Sequence, residues 1–180
     1  MRVFGIDPGS QCTGYGCVDS DGRRHQLVLC GAVRAGVAAT FPEQLSIIYR
    51  ELSAHIAAQR PDFVVIESIF HAVNARSALK LGHARGVAML AATEAGVTVV
   101  EYTPAEIKRS VVGYGRAEKA QVGQMVKLLL GLDAVPAPHD AADALAVAIC
   151  HVHGGNGTPA KGSKAATSWR RYKPVARAAR

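Results

Sequence analysis

The stretch Arg2-Val-Phe-Gly-Ile-Asp7, closed by Pro8-Gly9 and followed by Cys12-Thr-Gly-Tyr-Gly-Cys-Val-Asp19, decides how the chain is read. A short apolar run stopped by Pro-Gly predicts a buried strand whose last residue, Asp7, emerges at a sheet end. Cys12 to Asp19 and His25 to Val33 predict two further strands, joined by a turn at Asp21-Gly22. Three strands in direct succession predict an antiparallel meander.

Beyond the meander the pattern changes period. Leu45, Ile48, Leu52 and Ile56 mark one apolar face of a helix from Pro42 to Gln59, which Pro61 stops. Asp62 to Glu67 is apolar through Phe63-Val-Val-Ile66 and predicts a strand covered on both faces. A helix rich in small residues follows over 75–95, then a strand over 97–101. Thr103-Pro104 starts a helix to Val111, and the Gly113-Tyr-Gly115 break precedes another from Ala117 to Leu130. The last helix runs from His139 to His153. A meander followed by strand–helix alternation predicts an α/β fold of RNase H-like type, a mixed five-stranded sheet with helices on both faces. An all-parallel doubly wound sheet fits less well, because the early hairpin needs antiparallel pairing. One domain is expected over residues 1–153, and residues 154–180, rich in Gly, Ala, Ser, Lys and Arg, are expected to form a disordered basic tail.

Charge narrows the function. The chain of 180 residues carries a net charge of +7. Residues 154–180 hold seven Lys and Arg and no acid, so the 14 basic side chains left in the body match its 14 acidic ones. Within the body, residues 76–127 carry eight basic and four acidic groups, and residues 128–153 carry three Asp and no Lys or Arg. A segregated basic zone and a cationic tail suit a phosphate-backbone ligand, although a tail alone also keeps a protein soluble. No run approaches the roughly 18 apolar residues of a membrane span, and Met1-Arg-Val-Phe is charged too early for a secretory signal. Cys12, Cys17, Cys30 and Cys150 lack Cys-x-x-Cys spacing and are expected to be reduced thiols of a cytoplasmic protein.

Four acids stand where a sheet-based metal site needs them. Asp7 and Glu67 each end an apolar strand, and Asp140 and Asp143, three apart, share one face of the last helix. Singly, each has a plain alternative: a turn residue, a solvated strand end, two acids opposing a helix dipole. Converging carboxylates repel one another and invite a divalent cation, and oxygen-only ligation favours magnesium or manganese over zinc. Two such ions about 3.5–4 Å apart activate a water and stabilise the leaving oxygen of a phosphodiester.

The chain resembles the RuvC resolvases in several separated blocks. These are Gly5-Ile-Asp-Pro-Gly-Ser10 with Thr13-Gly-Tyr-Gly16, Ile66-Glu67 with Phe70, Ser77-Ala-Leu-Lys-Leu-Gly82 with Ala84-Arg-Gly-Val87, Lys108 with Val111-Val-Gly113, Ala117-Glu-Lys119, and Asp140-Ala-Ala-Asp-Ala-Leu-Ala146. The likeness runs over about residues 2–153. It implies a homodimeric endonuclease that nicks four-way (Holliday) DNA junctions symmetrically in recombination and repair, beside a branch-migration helicase complex of the RuvA and RuvB type. It implies magnesium, with manganese as a substitute, two ions per subunit. Asp7, Glu67, Asp140 and Asp143 match the metal-binding acids, with Asp7, Glu67, Asp140 and Lys119 as catalytic residues. Lys119 and Lys108 match basic residues near the site, and Phe70 matches an aromatic that stacks on an unpaired base. Lys119 would neutralise charge on the phosphoryl group. Arg76, Lys80 and Arg85 are expected to grip phosphates together with Lys108 and Lys119. His139, four residues before Asp143, is an alternative ligand; Asp140 ranks above it because Asp-x-x-Asp matches the commoner pattern and carboxylate suits magnesium better.

Two other classes compete. An actin-like or sugar-kinase-like phosphotransferase also opens with strand, Asp, Gly and Ser, but such ATPases need two repeated domains and a second phosphate loop. A non-catalytic DNA-binding module has no reason to keep four separated acids. Trp169 and Tyr172 in the tail leave room for docking to DNA or a helicase.

Overall fold

The computed structural model describes residues 1–36, 40–68 and 74–154. The opening meander is β1 (Arg2–Asp7), β2 (Cys12–Ser20) and β3 (His25–Arg34). β1 pairs antiparallel with β2, and β2 with β3. On the other side of β1, β4 (Phe63–Glu67) and β5 (Thr98–Tyr102) add in parallel, giving the order β3-β2-β1-β4-β5. This is the mixed five-stranded sheet that the sequence predicts.

Helices α1 (Phe41–Gln59), α2 (Ala75–Glu94), α3 (Pro104–Val112), α4 (Lys119–Leu129) and α5 (His139–Gly154) cover both faces. Alternation along the strands sorts the core into two layers. Phe4, Ile6, Val64 and Ile66 pack with Ile48, Leu52 and Ile56 of α1 and with Ala84 and Ala88 of α2. Val3, Val18 and Val65 face Ile107, Val126, Leu145 and Ile149 of α3, α4 and α5.

Local chemistry sets the helix starts. The Glu43 carboxylate accepts the Thr40 backbone N–H at 2.6 Å, and Glu106 accepts that of Thr103 at 2.7 Å. The helix expected from Ala117 begins two residues later, because Glu118 caps it and gives its backbone N–H to Gln121 Oε1 at 2.9 Å. The last helix takes in Gly154, where the tail was expected to begin; residues 155–180, with Trp169 and Tyr172, lie outside the described residues.

α5 sits lower on the sheet than side chains ordinarily permit. A Cβ on Gly14 would fall 2.0 Å from the Asp140 carbonyl oxygen, and one on Gly5 would fall 2.1 Å from that of Ala144. The missing Cβ atoms leave a seat for the helix, and that seat carries its first turn over the end of β1. The four cysteines are free, and among the described residues no helix is long and apolar enough to cross a membrane.

Candidate active site: a carboxylate cluster at the sheet end

Asp7 and Glu67 are the last residues of adjacent parallel strands, in register through the Ile6–Ile66 pair. Both follow the alternation of Val3 and Val65, so their side chains emerge on the α5 side of the sheet. Asp140 and Asp143 come down from the first turns of α5, with Gly14, opposite Asp7 on β2, beneath the Asp140 backbone. Four carboxylates separated in the sequence thus gather at one sheet end.

Their electrostatics show the crowding. Burial, then the charge of Glu67, then a hydrogen bond to Glu67 push Asp7 up to about 8 from an ordinary 3.8, with Asp143 adding and Lys119 opposing. Burial also raises Glu67, against the bond from Asp7 and the charges of Lys119 and Lys108. Near neutrality these effects favour the protonated form of Asp7, and the two carboxyls titrate as one coupled pair.

The remaining acids have partners of their own. Lys119 Nζ donates to Asp143 Oδ2 at 2.6 Å, a bond that raises the lysine. With the Lys119 side chain 78% exposed, the pair contributes at most about 1 kcal/mol to stability, so its significance is positional. The Cys12 thiol donates to Asp140 Oδ2 at 3.2 Å. Burial and that bond push the thiol up to about 11, so it remains a protonated donor. Sequence reasoning counted Cys12 among inert thiols. Only its place one residue before Thr13-Gly14 hinted at the site, and the contact spans 128 residues.

Among the described residues, no three His, Cys, Asp or Glu side chains are closed into a metal cage. Asp140 turns to Cys12 and Asp143 to Lys119, so closing a cage requires those side chains to exchange partners. The donor set nonetheless fits a hard dication: it is all oxygen, and burial first, then the charge of Glu67, penalise the ionised form of Asp7 that a bound cation would favour. His139 is exposed at the first position of α5.

The basic residues divide. Lys108 on α3 is close enough to act on Glu67, and Lys119 lies within the cluster. Arg76, Lys80 and Arg85 ride on α2, which covers the opposite face of the sheet. Arg76 is exposed in the first turn, Lys80 Nζ lies 5.4 Å from the Phe41 ring centre, and Arg85 is ion-paired with Glu101. The basic zone that is continuous in sequence is thus split by the sheet. Phe70 lies outside the described residues.

An RNase H-like sheet with carboxylates at two neighbouring strand ends, two more on an overlying helix and a lysine among them defines a domain of the nuclease class. Residues 3–151 match the family model of the crossover junction endodeoxyribonuclease RuvC, and the chain belongs to that family. The RuvC of Koribacter versatilis is 54% identical over 154 residues, covering 85% of this chain and 93% of its own length. That of Trichlorobacter lovleyi is 49% identical over 179 residues, covering 97% of this chain and 100% of its own. The Thermus thermophilus RuvC structure superposes with a TM-score of 0.79 at 35% identity, over 85% of this chain and 94% of that one. The same protein in complex with Holliday junction substrate gives 0.78 at 32% identity, with the same coverage.

Proposed function

We propose that this chain resolves four-way DNA junctions by paired symmetric nicks, hydrolysing phosphodiesters with divalent metal in recombination and repair. The observation that carries the mechanism is the placement of Asp7 and Glu67 at adjacent strand ends beneath Asp140 and Asp143 at the start of α5. In this reading the four carboxylates hold magnesium, or manganese in its place, two ions per subunit. Bound metal supplies an activated water and charge stabilisation for the leaving oxygen. Lys119 steers Asp143 and offers positive charge to the phosphate; Lys108 lies close behind Glu67. Phe70 stacks on an unpaired base at the junction centre, while Arg76 and Lys80, at the start of α2 on the other face of the sheet, contact DNA backbone away from the carboxylates. Arg85 joins them in gripping phosphate by exchanging Glu101 for DNA.

Symmetric nicking needs two active sites, and α2 offers a surface for a second copy. Leu79 and Leu90 are 65% and 50% exposed. With Leu45 they border a groove of about 490 Å³ over Gly82 and Gly86, where an added Cβ would meet nothing. Apolar flanks around a glycine floor suit close helix–helix packing across a two-fold axis. We assign the nuclease domain to residues 1–153. The basic segment 154–180 extends the surface available to DNA or to a branch-migration helicase complex of the RuvA and RuvB type, with all of this taking place in the cytoplasm.

The test is cleavage of a synthetic four-way junction with magnesium against linear duplex of the same sequence. The wild type should nick the junction at symmetric positions and spare the duplex. Asp7→Asn should bind the junction without cutting it. Undiminished cutting by Asp7→Asn would remove the carboxylate cluster from the chemistry.

A further inference from the structure

At the end of the sheet away from the carboxylates, two imidazoles meet nitrogen to nitrogen. His25 begins β3 and His153 lies in the last turn of α5, and their Nε2 atoms are 3.2 Å apart. The ring centroids lie 5.2 Å apart with the planes tilted by 52°, so the rings meet edge to edge and do not stack. Each ring is held from behind. His153 Nδ1 is 3.1 Å from the Ser110 carbonyl oxygen, and His25 Nδ1 is 2.9 Å from Ser20 Oγ. Ser20 Oγ also accepts the Gly22 backbone N–H at 3.0 Å.

These partners constrain the tautomers. A backbone carbonyl only accepts, so His153 carries a proton on Nδ1, and in the neutral ring Nε2 is then a lone pair. If His25 donates from Nδ1 to Ser20, its Nε2 is a lone pair as well, and two lone pairs at this distance repel unless something positive lies between them. One candidate is a proton on His25 Nε2, with Ser20 reversed to donate. The other is a metal ion. Imidazole nitrogens bound about 2.0–2.1 Å from a tetrahedral zinc lie about 3.3 Å apart, close to the spacing seen. A hydrogen bond behind each ring is also the usual support for a metal-binding histidine. On the His153 side of the pair is an open hollow of about 610 Å³, lined by Ser20, Asp21, Gly22 and His153, with room for water. Burial and the neighbouring His153 hold His25 below the ordinary imidazole range against the pull of Asp21, which keeps its ring neutral near pH 7.

We propose that His25 and His153 form a two-histidine site for a divalent transition metal of the zinc, nickel and copper class, completed by water. Imidazole selects that class, whereas the all-oxygen cluster selects magnesium. Counted along α5 from Asp140 to His153 at about 1.5 Å per residue, the two sites are roughly 20 Å apart and cannot share an ion. Bound metal would pin the β2–β3 hairpin to the end of α5. The inference does not depend on the nuclease reading.

Zinc and nickel titrations of the untagged full chain, run with excess magnesium to saturate the carboxylates, provide the test. Binding would be followed by calorimetry, by melting temperature and by the imidazole resonances of His25 and His153. One equivalent should bind, raise the melting temperature and shift both sets of resonances. His153→Ala and His25→Gln should each weaken binding at least about tenfold, while Asp7→Asn should leave it unchanged. His25→Gln lies at a strand start and keeps a polar side chain, so it guards against a folding defect in the helix variant. Equal affinity in wild type and His25→Gln, or no binding at 100 µM (on the order of the weakest useful site), would overturn the assignment in favour of a hydrogen-bonded pair.

Discussion

Replacing Asp7 by Asn should stabilise the metal-free protein, and by an amount that grows with pH. Asp7 keeps its proton up to about pH 8 in the folded chain, against an ordinary 3.8. Because the folded value is raised, the native state holds a proton between those limits that the unfolded state has already released. Stability due to Asp7 is therefore fully present below pH 3.8, declines through the window and is lost above about 8. The whole window corresponds to a ceiling of about 6 kcal/mol. Glu67 is raised as well, chiefly by burial, so the pair titrates as one unit and about half of that ceiling, ~3 kcal/mol, is expected for one residue. Asparagine keeps the shape and an N–H donor for Glu67 and never ionises. The stability difference between Asp7→Asn and wild type should rise from near zero around pH 4 to ~3 kcal/mol at pH 9, about 6–12 °C in melting temperature. Urea and thermal denaturation in EDTA at several pH values measure it directly. Adding magnesium should then shrink the gap, because the wild type gains an ion that the variant holds poorly. A variant that is less stable at pH 9, or a difference that ignores pH, would refute the account in which burial and the neighbouring Glu67 charge raise Asp7.

Three further outcomes follow from the geometry. Gly14→Ala drives a methyl group against the Asp140 carbonyl and must lift α5; a loss of about 1–3 kcal/mol in urea unfolding, with cutting abolished, is expected. Lys119→Ala should leave stability within about 1 kcal/mol, since its ion pair is exposed, yet reduce single-turnover junction cleavage by roughly 10²–10³. Leu79→Glu places a charge in the α2 groove and should convert a dimer to monomer in sedimentation, with paired nicks replaced by isolated ones.

Much of this architecture was legible in the residues. Runs such as Phe63-Val-Val-Ile66 and the Leu45, Ile48, Leu52, Ile56 stripe carry their own period, and Pro8-Gly9, Pro61 and Thr103-Pro104 mark where elements stop or start. Asp7 and Glu67 could be placed at strand ends for the same reason. The basic zone over 76–127 is continuous only in sequence: charge counted along the chain ignores the sheet, which sends Arg76, Lys80 and Arg85 to one face and Lys108 and Lys119 to the other. Cys12 was passed over because a thiol among apolar residues looks the same whether or not a carboxylate approaches it from another element.

By itself, then, the sequence determined the strands, the helices and the mixed character of the sheet, and singled out four acids as candidates, since periodicity, capping and turn chemistry act over a few residues. Only the tertiary structure decided which side chains meet: Asp7 with Glu67, Lys119 with Asp143, Cys12 with Asp140, His25 with His153. The first follows from the parallel register of β1 and β4 and the second from the packing of α4 on α5, while Cys12 with Asp140 and His25 with His153 turn on how closely α5 approaches the sheet. That distance is fixed by the Cβ atoms absent from Gly5 and Gly14, whose effect exists only once strand and helix are pressed together.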